Sequence, residues 1–183
     1  MKKTLAILAV LVMVFTVSAA ALAEETTGPV FSMGVQFNMD MDQVMQLLKQ
    51  LVNMPNPEID REETRGPVEF YELEYEKVTT GEGFTCDVKY LFVGNSLVAM
   101  HYDMADGTSY DAIKAQCEEL YGKAIPFDAA KIGNARYVID DDGDLKDCKE
   151  MIEANGFTIV LEKDHDGDVD VTILDPTAAY INN

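Results

Sequence analysis

With 33 acidic side chains against 14 basic ones in 183 residues, the chain carries a formal charge of −19 and an isoelectric point near 4.2. Phosphate backbones and anionic lipid surfaces repel such a polymer, which argues against nucleic-acid binding and electrostatic membrane attachment. The only histidines are His101 and His165, and the sequence holds no paired-His zinc motif.

The chain opens with Lys2 and Lys3, an apolar run from Leu5 to Val17 and the small-x-small triplet Ala21-Leu22-Ala23. That order reads as a secretory signal peptide, cleaved near Ala23. The apolar run is shorter than a membrane-spanning helix requires, so no membrane insertion is expected. No Cys follows the cleavage point to carry a lipid, and the expected destination is secreted or extracytoplasmic. Cleavage takes 23 of 183 residues and leaves 160. That length supports one domain, over residues 30–175, burying roughly 70 % of its unfolded surface. Residues 24–29 read as a mobile leader and 176–183 as a tail.

The segment Gly34–Val52 (GVQFNMDMDQVMQLLKQLV) contains a complete helix start. Asp40 accepts from the first turn while Gln43, three residues on, reaches back to its backbone N–H; Asp42 adds a favourable charge at the positive end of the helix. Val44, Leu47, Leu48, Leu51 and Val52 recur on one face, and Asn53, Pro55 and Pro57 end the run. Before the cap, Phe31, Met33, Val35 and Phe37 alternate as a short strand or extended arm. The thioethers of Met33, Met39, Met41, Met45 and Met54 raise a copper(I) reading. No His or Cys clusters with them, and packing by an adaptable side chain is the stronger reading.

Residues 56–67 (NPEIDREETRGP) are charged and broken by proline and glycine, as in a solvent loop. Val68–Val78 alternates, with Tyr71, Leu73 and Tyr75 on one side and Glu72, Glu74 and Glu76 on the other. One sheet face is therefore wet. Phe84–Val93 and Ser96–Met104 continue an antiparallel meander through a turn at Gly94-Asn95. Thr108 caps a second helix with Asp111 in its first turn, and Tyr110, Ile113, Cys117, Leu120 and Tyr121 form its apolar side up to Gly122. Ala135–Ile139 reads as a strand. Asp144 opens a short third helix with Leu145, Cys148, Met151 and Ile152 on one side, and Gly156 ends it. Phe157–Leu161 and Val169–Ile173 read as a hairpin closed at Asp166-Gly167.

The expected class is α+β: a two-layer antiparallel sheet with helices packed on one face, in tandem helix-plus-three-strand units. Cys86, Cys117 and Cys148 each fall on an apolar face. Their odd number allows at most one internal pair, with Cys117–Cys148 bridgeable if their two predicted helices meet.

Two phrases, VQFNMDMDQVMQLL and CEELYGKAIP, resemble phrases of small secreted bacterial proteins with modules similar to β-lactamase inhibitor protein and to the SmpA/OmlA outer-membrane lipoproteins. Asn38 stands where that family has Gly, and Asn tolerates the same left-handed conformation. The resemblance spans roughly residues 31–175 in element order and implies the tandem helix-plus-three-strand fold, with β-lactamase inhibition as the function that fold allows.

Asp164, Asp166, Asp168 and Asp170 offer oxygen ligands at alternating positions, which raises a calcium reading together with the Asp140–Asp144 loop. Gly167 falls at the fourth position of this run, whereas an EF-hand places its glycine sixth and a glutamate twelfth. A turn accounts for the glycine directly. His101 and Cys86 invite a thiol–imidazole pair, but His101 has the opposite parity to the apolar Met100 and Tyr102. No nucleophile elbow or phosphate loop occurs. The expected function is a non-catalytic module that binds an unidentified protein partner or assists envelope assembly, with extracellular calcium binding as the alternative.

Overall fold

The computed structural model describes residues 32–51, 56–65, 67–81, 83–139 and 144–180. The expected signal peptide and leader, Phe31, the expected helix stop at Val52–Pro55 and most of the Asp140–Asp144 loop lie outside these residues.

The chain is an α+β protein built on an open antiparallel sheet. Helix α1 (Met41–Leu48) precedes strands β1 (Glu58–Arg65), β2 (Val68–Thr79), β3 (Thr85–Val93) and β4 (Ser96–Met104). Helix α2 (Tyr110–Tyr121) precedes β5 (Ile125–Pro126), β6 (Cys148–Ala154), β7 (Phe157–Lys163) and β8 (Val169–Leu174). The strand order is β1-β2-β3-β4-β8-β7-β6-β5. Two meanders, each entered from a helix, thus meet where β4 pairs with β8, with a further strand at each outer edge.

Helix α1 forms where its caps require. The Asp40 carboxylate accepts from Gln43 N–H at 2.8 Å, and the Gln43 side chain accepts from Asp40 N–H at 2.9 Å. Asp40→Ala is expected to cost about 1 kcal/mol, read as a lower denaturation midpoint. The approach to this helix is a pair of turns instead of the expected short strand or extended arm. Met33 (φ +52°) and Gly34 (φ +85°) reverse the chain, and Asn38 adopts the left-handed conformation at φ +67°. Asn38 N–H then donates to Leu97 O at 3.0 Å and Leu97 N–H to Met39 O at 2.9 Å, which ties the turn to β4.

The first face of the sheet carries α1 and α2. Val44, Leu48, Ile113 and Cys117 pack there on Leu73, Tyr75, Val88, Tyr90, Met100 and Tyr102. Helix α1 is shorter than its apolar pattern, and Leu51 beyond its end is exposed. Ser109 caps α2 by accepting from Ala112 N–H at 3.4 Å, whereas the Thr108 hydroxyl donates to Ala105 O. Leu120, expected on the buried side, is 56 % exposed. Tyr90 is fully buried against Tyr75 in an edge-on contact at 6.1 Å, and its hydroxyl has no hydrogen-bond partner among the described residues. Tyr90→Phe is therefore expected to raise stability by about 0.5–1 kcal/mol, because the folded state sheds an unsatisfied polar group.

Two expected elements exchange identity. Residues 136–139 form a helical turn, α4 (Arg136–Ile139), which follows α3 (Ala129–Ile132) through a 3₁₀ turn at Gly133–Ala135. Cys148–Ala154, expected inside a helix, is strand β6. Met151 and Ile152 are adjacent and both buried, one in the core of each sheet face. Burial on both sides gives a strand neighbouring apolar residues that mimic helical spacing. The turns of α3 and α4 cover part of the second face through Ile132, Ala135, Val138 and Ile139. Residues 58–65, expected as loop, form an edge strand. It pairs on one side only, with β2.

An acidic cavity on the second sheet face

The second face changes character along its strands. At one end Phe70, Leu91, Ala99, Val160 and Leu174 form an apolar core with α3, α4 and Tyr180. Two residues further along each strand the same face turns polar, because side chains at i and i+2 share a face. Lys89 lies opposite His101, and His101 opposite Thr172. In the next row Asp87 faces Asp103, Asp103 faces Asp170, and Asp170 faces Glu162. Four carboxylates thus sit in register across four consecutive strands. Like charges directly opposite one another destabilise a sheet.

A cavity of about 480 Å³ opens over three members of this row, Asp103, Asp170 and Glu162. Its floor includes His101, Asp103, Glu162 and Asp170; Leu91, Val138 and Ile139 give it an apolar wall. The loop between β7 and β8 forms another side through Asp164, His165 and Asp168. Glu162 and Thr172 are buried beneath it. Thr172 Oγ1 donates to Glu162 Oε1 at 2.8 Å and lies 3.0 Å from His101 Nδ1. Asp87 is held at the end of the row by Lys77 N–H, which donates to its Oδ1 at 2.6 Å from a bulge in β2 where Lys77 has φ +54°.

Partial enclosure raises the Asp103 pKa above the ordinary carboxylate value, and the charges of Asp87 and Asp168 push it the same way. A raised folded-state value means that this group's stabilising contribution is complete below its unfolded pKa and is lost as pH rises through the folded value. Ionised Asp103 therefore costs stability at neutral pH. Asp103→Asn is expected to gain up to about 0.5 kcal/mol there after allowance for solvent screening, and the gain should vanish in acid below the ordinary carboxylate pKa. Denaturation midpoints of both proteins across that pH range check it.

The four aspartates of the proposed calcium set are not gathered at one point. Asp164 Oδ1 accepts from the N–H groups of Asp166, Gly167 and Asp168 at 2.9, 2.7 and 2.9 Å, and Gly167 takes φ +103°. Burial opposes ionisation of Asp164, but these three donors outweigh it and lower its pKa. The turn is thus closed by its own backbone. Potential ligand atoms of Asp164, His165 and Asp166 lie within 4.8 Å of one another, a group that omits Asp168 and Asp170. Asp168 is at the cavity rim, and Asp170 belongs to the carboxylate row. Residues 140–143 and the Asp144 side chain lie outside the described residues.

Cys86 belongs to the first-face core, so it cannot pair with His101 across the sheet. Cys117 and Cys148 lie in the cores of opposite faces, so the bridge expected if two helices met does not form, and none of the three cysteines is in a disulfide. Met33, Met39, Met41 and Met45 are half-buried against the first-face core. Sequence reasoning missed the carboxylate row. Its signal was the wet parity shared by Asp87, Asp103 and Asp170, legible only with the register in hand. No helix among the described residues is long and apolar enough to cross a membrane. The chain matches no family model, and comparison with curated proteins and with solved structures gave no significant match.

Proposed function

We propose that the protein is an extracytoplasmic, non-catalytic binding module that docks a protein partner on the wet half of its second sheet face. The carboxylate row beneath an open cavity carries this reading. Crowded like charges weaken the fold, and residues that cost stability are characteristic of places where a surface is shaped for a partner instead of for folding. A partner presenting lysine or arginine would neutralise the row, and the apolar wall of Leu91, Val138 and Ile139 suits the aliphatic stem of such a side chain. The amino-terminal pattern supports the extracytoplasmic setting.

The immobilised mature protein is expected to retain a basic protein from its native medium. His101→Trp, which narrows the cavity, should lose that protein while keeping the unfolding midpoint of the parent. Undiminished retention by His101→Trp would reject the docking face. Calcium is the competing occupant: a midpoint raised by calcium in the parent but not in Asp103→Asn/Asp170→Asn would place an ion there instead.

A further inference from the structure

The hydroxyl of Thr172 is shared between two titratable side chains. It donates to Glu162 Oε1 at 2.8 Å and stands 3.0 Å from His101 Nδ1. A hydroxyl has a single proton, and an ionised carboxylate only accepts. With Glu162 ionised the proton is committed to it, and the contact to His101 then runs the other way, from Nδ1–H to the Thr172 oxygen. Thr172 is fully buried and Glu162 nearly so, so neither exchanges this bond for water at low cost.

From this geometry we infer that Glu162 and Thr172 are positioning residues that hold His101 as the Nδ1–H tautomer, and that proton uptake on Nε2 adds a positive charge to the docking face and loosens its grip on a basic partner. The second half of the inference rests on the docking reading above. Groups of both signs face the ring. Lys89 is directly opposite on β3, with Asp87 beyond it; Asp103 follows on β4, and Asp170 and Glu162 stand on β8 and β7. Across the cavity lie Lys146 and Asp147, then Asp164, His165 and Asp168 of the hairpin loop, while α4 brings only Val138 and Ile139. Carboxylates outnumber cations in this set, so the imidazolium is electrostatically tolerated. A new positive charge there offsets part of the attraction for a partner's lysine or arginine.

The chain has two histidines, and His165 is exposed on its loop. His165→Gln therefore leaves a single imidazole to observe. Nitrogen-15 spectra of that variant at about pH 7.5 are expected to show the proton on Nδ1, and Thr172→Val, which keeps the shape and removes the hydroxyl, should move it to Nε2. A proton on Nε2 in the Thr172 protein overturns the inference, whether or not Thr172→Val folds. Octalysine supplies the second readout. Its affinity for the His165→Gln protein is expected to weaken about three- to tenfold from about pH 7.5 to about pH 5.8, an interval that brackets the ordinary imidazole value. His101→Gln in the same background should show no such weakening. Octalysine that binds with equal pH sensitivity in both proteins overturns the switch and leaves the docking face standing. Octalysine that binds neither protein overturns the docking face and the switch together, while the tautomer measurement still decides the roles of Thr172 and Glu162.

Discussion

Ile113→Ala should lower folding stability by about 3 kcal/mol, seen as an earlier urea midpoint at unchanged slope. Helix α2 buries only Ile113 and Cys117 completely, so removing one isoleucine takes away much of its apolar anchor. The remaining contacts are peripheral. Tyr121 meets Phe157 edge-on at 5.2 Å, while Tyr110 and Lys114 both bond to Glu150 on β6, Lys114 at 2.7 Å. Lys114 and Glu150 are each about a quarter exposed, where ion pairs contribute little. Leu120→Ala on the exposed side is the matched control, expected to change stability by under about 0.5 kcal/mol. Similar losses for the two substitutions would mean that α2 is rotated from the orientation described.

Tyr180→Ala should cost a comparable amount, about 3 kcal/mol, although it lies six residues beyond the last strand. Its ring is buried in the second-face core, and its hydroxyl donates its one proton to Asp175 O at 2.7 Å, with Val98 O as a second, longer acceptor at 3.2 Å. Burial pushes its pKa up and keeps the hydroxyl protonated as a donor. Tyr180→Phe keeps the ring and loses those bonds, so its cost should stay near 1 kcal/mol. The two substitutions separate packing from hydrogen bonding in one denaturation series. If Tyr180→Ala were neutral, the apolar half of the second face would be covered by something else, and the boundary between core and cavity would need another explanation.

The elements that sequence reasoning placed well are those specified locally. The Asp40–Gln43 capping box, the end of α2 at Gly122 and the alternation of β2 to β4 each depend on a few neighbouring residues. The swap of helix and strand between residues 135 and 154 has the opposite cause. Both stretches are short, and the apolar residues of β6 serve two cores at once, so period alone could not separate helix from strand. The edge strand β1 was hidden by its own charge. At the candidate site, the wet parity of Glu74, Lys89, His101 and Asp103 was visible as polar positions in alternating strands, but their alignment was not.

Amino-acid order alone determined an acidic chain, an α+β mixture of amphipathic helices and alternating strands, and one sheet face that stays polar at intervals. Those properties follow from composition, caps and side-chain period, which act over a few residues. Only the tertiary structure decided that β4 pairs with β8. That pairing sets Asp103 beside Asp170, residues 67 positions apart in the chain, and His101 beside Thr172. Register between strands distant in sequence is chosen by the whole core, because a slip of one residue would turn every buried side chain outward. The carboxylate row and the Glu162–Thr172–His101 chain are products of that choice.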